Sequence, residues 1–75
     1  MSMMTKLSNV ELGDLVIINT GILGKLAYRV TNDFLHIKLE NIENGFEYNE
    51  VFSSLDDLQV FIEKHSNIIK LVPLH

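Results

Sequence analysis

The chain contains no cysteine and no tryptophan, a single proline, Pro73, and four glycines among 75 residues. Without cysteine it can form neither a disulfide framework nor a thiolate zinc site, so cohesion must come from apolar burial, aided where needed by oligomerisation. Long hydrophobic runs are also missing. The stretch 15–18 is far too short to cross a bilayer, and residues 1–8 carry Lys6 but no apolar segment of the secretory kind. The expectation is a soluble, cytoplasmic protein with no membrane partner, a flexible tail over 1–8 and one small β-rich domain over 9–75. A hydrophobic fraction of 47% supports a packed core rather than a disordered regulator.

Positive charge is absent from the middle of the chain. Over 40–57 the ionisable residues are Glu40, Glu43, Glu47, Glu50, Asp56 and Asp57, while all six Lys and Arg lie outside it, in a chain of net charge −4. Such a block repels nucleic-acid backbones and attracts basic surfaces, within a Debye length of about 8 Å at physiological salt. Its simplest role is to keep a small hydrophobic protein dissolved.

Local patterning gives mostly strands. Residues 15–19 form a nearly continuous β-branched and aliphatic run suited to burial on both faces. Gly21 and Gly24 mark a loop. Leu26, Tyr28 and Val30 alternate with Ala27, Arg29 and Thr31 in the period of a strand with one dry and one wet face. Asn32 and Asp33 suit a two-residue hairpin turn, and Leu35, Ile37 and Leu39 continue the alternation in a third strand. Asn44 and Gly45 then reverse the chain into a fourth, over 46–52. Glu40, Glu43, Glu47 and Glu50 share a helical spacing, but Gly45, the repulsion of like charges and the alternation of Phe46 with Tyr48 exclude that helix.

Ser54, with Asp57 three residues on, is a capping signal, and Asp56 and Asp57 suit the positive end of a helix dipole. The segment 55–65 then aligns Leu58, Phe61, Ile62 and His65 on one stripe, which predicts a short amphipathic helix. Ser66 and Asn67 can turn the chain into a last strand over 68–72, ended by Pro73. The expected core comprises Val16, Ile18, Leu26, Tyr28, Val30, Leu35, Ile37, Leu39, Phe46, Leu58, Phe61, Ile62, Ile69 and Leu71.

The opening Gly13-Asp14-Leu15-Val16, the loop with Gly21, Gly24 and Lys25, and an order of four strands, helix and strand together resemble the SH3-like small barrels, including the KOW-type variety. The resemblance spans residues 13–74 and implies a mainly β fold, a curled five-stranded sheet or barrel with one short helix before the last strand. The helix is longer than the single turn usual in that class. The alternative is an open α+β sheet with the helix packed on one face.

Catalytic patterns are weak, and the expectation is that the chain is not an enzyme and holds no cofactor. His36, His65 and His75 are isolated, which argues against a metal site. Ser53 and Ser54 read as helix caps rather than nucleophiles. Asp56 and Asp57, adjacent on a helix, point about a hundred degrees apart and do not readily flank one substrate. The sequence from Gly21 to Lys25 lacks the spacing of a phosphate loop and leads into a strand.

Three binding expectations remain. An acidic face of Glu43, Glu47, Glu50, Asp56 and Asp57 would dock a basic partner protein, as an inhibitor or accessory factor does. Alternatively Lys25, Arg29 and Lys38, with Tyr28 or Phe34 as a stacking surface, would bind nucleic acid, although three cations are few for an acidic chain. Finally, the C-terminal strand, if it lies at a sheet edge, would pair with a second copy to give a homodimer.

Overall fold

The computed structural model describes residues 9–74; the expected tail over 1–8 lies outside them. Four strands and one helix follow in the order β1 (Leu15–Asn19), β2 (Lys25–Asn32), β3 (Ile37–Asn41), α1 (Leu55–Lys64) and β4 (Ile69–Val72). The strands form one open antiparallel sheet, ordered β3-β2-β1-β4. The fold is mainly β, with one short helix ahead of the last strand. The described strands do not close into a five-stranded barrel.

The register follows from the hydrophobic alternation. Val16 opposes Tyr28 and Leu71, and Ile18 opposes Leu26 and Ile69, so one face of the sheet gathers the apolar side chains. Leu58 and Ile62 of α1 complete the core with Val10, Val16, Ile18, Tyr28, Val30, Leu39, Phe52 and Ile69. Leu39, Leu58, Val16 and Val30 are fully enclosed, each contributing about 1.5–3 kcal/mol through removal from water. In so small a domain any one of them matters. The helix starts as its sequence signal requires: the Asp57 N–H donates to Ser54 Oγ at 3.2 Å, and His65 caps its C-terminus through Phe61 and Ile62.

Several sequence expectations are corrected. Strand β1 is buried on one face only, because Leu15 and Ile17 point to the uncovered side and are half-buried. The turn after β2 has four residues, 33–36, rather than two. Asp33 Oδ1 accepts the N–H groups of Leu35 and His36, both at 2.9 Å, so the aspartate builds a wider loop and delays β3 until Ile37. Leu35 therefore lies outside the core and is 69% exposed. Phe46, 74% exposed, also fails as a core residue because it sits at the mouth of a turn. The fourth strand expected over 46–52 is reduced to two bridges, Ile37 with Phe52 and Glu40 with Glu47. Between them three steps along β3 face five along its neighbour, a bulge that breaks regular pairing.

Candidate protein-interaction site

The acidic residues follow the flank of the sheet bordered by segment 42–57. Glu43 lies in the turn after β3, where Asn41 Oδ1 accepts the N–H groups of Glu43 (2.8 Å) and Asn44 (3.2 Å). Asn41 is itself buried, so this turn is anchored from below. Glu47 stands opposite Glu40 and is bound by Lys38, whose Nζ is 3.4 Å from Glu47 Oε1 and 2.9 Å from Asp33 Oδ2. Glu50 sits in the bulge. Burial first, then the charge of Glu50 and the neighbouring Tyr28, pushes the Tyr48 phenol above its ordinary value of 10.0. Asp56 and Asp57 open α1.

All five are exposed. Glu43, Glu47 and Glu50 belong to the segment that borders β3 between Asn41 and Ile37, and Asp56 and Asp57 follow at the start of α1. Five strand residues span roughly 17 Å, about two Debye lengths, so the three glutamates form a strip and not a point cluster. The outer edge of β3 is covered by this segment. Ile37 exchanges two hydrogen bonds with Phe52, the Asn41 N–H donates to the Phe46 carbonyl, and the Tyr48 N–H donates to the Leu39 carbonyl. Recognition here would act through side-chain charge.

The cations of the strands gather on one face, which Glu47 shares through its contact with Lys38. By register Lys25 and Arg29 of β2, Lys38 of β3 and Lys70 of β4 share the face turned away from α1, with Glu40 opposite Arg29. Lys25, Arg29 and Lys38 are thus brought to one face, as the nucleic-acid expectation needs. Their aromatic partners are not. Tyr28 is only 9% exposed and packs edge-on against Tyr48 with ring centroids 5.5 Å apart, while Phe34, 96% exposed, lies in the loop beyond the opposite end of β2 from Lys25. Lys38 is engaged by two carboxylates.

The C-terminal strand does lie at a sheet edge, but little of its backbone is open. In the β1–β4 ladder Ile69 and Leu71 turn their N–H groups outward. The Ile69 N–H donates to the His65 carbonyl at 2.8 Å, and Pro73 has no N–H. Leu71 alone offers an outward donor, and Lys70 adds the charge by which edge strands resist pairing.

Sequence reasoning missed two groups of residues. Asp14, fully buried, and Asn41 organise loops from inside the domain. The exposed apolar tips Ile22 and Leu23 project from a loop; Gly21 and Gly24 on either side were the signal that they lie outside any strand face. Among the described residues no group of three or more His, Asp or Glu is arranged to hold a metal ion, and no helix is long and apolar enough to cross a membrane. Compared with known proteins, the chain matches no family model, no curated protein and no solved structure.

Proposed function

We propose that this chain is a non-catalytic protein-interaction module of the cytoplasm, an inhibitor or accessory factor that docks a basic partner protein along the strip of Glu43, Glu47, Glu50, Asp56 and Asp57. The observation that carries this reading is the exposure of these carboxylates together with the lack, at all but Glu47, of local ion pairs among the described residues. Glu43, Glu50, Asp56 and Asp57 have no ion-pair partner among the described residues, so their charge is free to act on a second molecule. A long-range attraction of this kind speeds encounter and selects for opposite charge. The SH3-like resemblance is part of the same proposal: in its favour are the meander β1-β2-β3, the two bridges over 46–52 and the return of the last strand to the first.

The test is affinity capture from native lysate with the wild-type chain and with an E43K/E50K/D56N/D57N variant. Neutralising rather than reversing the two aspartates spares the helix dipole, and Glu47 is retained because it holds Lys38. Basic proteins bound by the wild type should be lost by the variant while its circular dichroism is unchanged. An identical set of captured proteins would contradict the proposal.

A further inference from the structure

The face of the sheet turned away from α1 carries a second candidate surface. A shallow cleft of about 200 Å³ lies over the paired strands β1 and β4, lined among others by Ile17, Asn19, Lys25, Asn67, Ile68 and Lys70. Its construction follows from register: Lys25 opposes Asn19, and Lys70 opposes Ile17. The two lysines therefore border a mixed floor, where the aliphatic side chains of Ile17 and Ile68 lie beside the polar Asn19, Ser66 and Asn67. Neither lysine has an ion-pair partner among the described residues. No aromatic residue lines the cleft to stack a base, which favours a protein ligand over single-stranded nucleic acid. The chemistry that fits is one large apolar side chain beside a carboxylate.

This chain itself displays that combination. The turn over 42–46 presents Phe46 and Ile42, 74% and 45% exposed, beside the unpaired Glu43. It is rigid before any contact is made. Besides the two bonds to Asn41 Oδ1, the Phe46 N–H donates to Asn44 Oδ1 at 2.8 Å and the Gly45 N–H to the Asn41 carbonyl at 2.9 Å, while Gly45 takes the φ of +78° that closes the turn. A knob already ordered loses little conformational entropy on docking.

We propose that the cleft over β1 and β4 receives the 42–46 turn of a second copy of this chain, with Phe46 over Ile17 and Ile68 and the Glu43 carboxylate held by Lys25 and Lys70. The contact is small and therefore weak and transient, and the net charge of −4 opposes closer assembly. It rests in part on the preceding reading, because Glu43 belongs to the acidic strip. The two fail separately, since Lys25 and Lys70 lie outside that strip.

Sedimentation velocity over a concentration series tests the proposal with three samples. The wild type should shift from monomer toward dimer as concentration rises. K25E/K70E alone and E43K alone should each weaken association by about tenfold or more, and mixing these two variants should restore it, because the intact turn of the first meets the intact cleft of the second. All substituted side chains are exposed, so circular dichroism should remain that of the wild type. A wild type that stays monomeric at about 0.5 mM overturns self-docking, even if it still captures basic proteins. So does association that survives K25E/K70E, which would point to Leu71 and the open edge instead.

Discussion

The side chain of Asp14 accepts the N–H of Leu74, sixty residues further along the chain, at 3.3 Å. Its other carboxylate oxygen accepts the Glu11 N–H at 3.0 Å, while its own carbonyl accepts the Val30 N–H at 2.9 Å. One fully buried carboxylate thus joins the segment entering β1 to the segment leaving β4. Replacing it by alanine leaves two partly buried donors without their partner, at about 1–3 kcal/mol in total. D14A should lower the urea midpoint accordingly, with faster hydrogen exchange at Glu11 and Leu74.

The β2–β3 loop depends on a charge that persists into acid. The bond from Lys38, then the N–H groups of Leu35 and His36, hold the Asp33 carboxyl far below its ordinary value of 3.8. Because the folded-state value is depressed, the contribution is complete above the ordinary carboxylate range and declines only as pH falls well below it. The Leu35 amide signal should therefore show no Asp33 titration step as pH falls through the ordinary carboxylate range and should move only well below it. D33A should shift that signal at every pH.

An alkaline limb has the opposite sign. The Tyr48 phenol is raised above 10.0, first by burial, so the folded state retains a proton that the unfolded chain gives up. Its contribution is complete below about pH 10 and is lost as pH rises beyond that value. Thermal denaturation of Y48F should show a smaller loss of stability above pH 10 than the wild type.

The helix is joined to segment 46–52 mainly by rings. Phe61 lies 5.0 Å from Phe52, 6.2 Å from Tyr48 and 4.8 Å from the His65 imidazole between centroids. F61A should cost about 3 kcal/mol, near the low end for such a truncation because the ring is only partly buried. Denaturant unfolding measures it. Loss below about 1 kcal/mol would mean that Leu58 and Ile62 alone dock the helix.

Where local chemistry and burial agreed, the fold was legible in the residues. The span of β1, the alternation of β2 and the Ser54 cap each follow from a pattern that the packed structure reinforces. Leu35 and Phe46 misled because alternation continues through a strand and into its turn, and only the side-chain bonds of Asp33 and Asn41 decide where the strand stops. The acidic residues were visible as composition, but the placement of Glu47 and Glu50 along the edge of β3 depended on the bulge between Glu47 and Phe52, which no pattern announces. The shared face of Lys25, Arg29 and Lys38 was visible as outward positions on strands, whereas the addition of Lys70 required the pairing of β4 with β1.

The affinity of a captured basic partner, measured by calorimetry at several salt concentrations for the wild type and for E43K/E50K/D56N/D57N, tests the acidic strip most directly. The account predicts binding that weakens steeply as salt rises and that falls at least about tenfold in the variant. Binding indifferent to both salt and these four substitutions would contradict it.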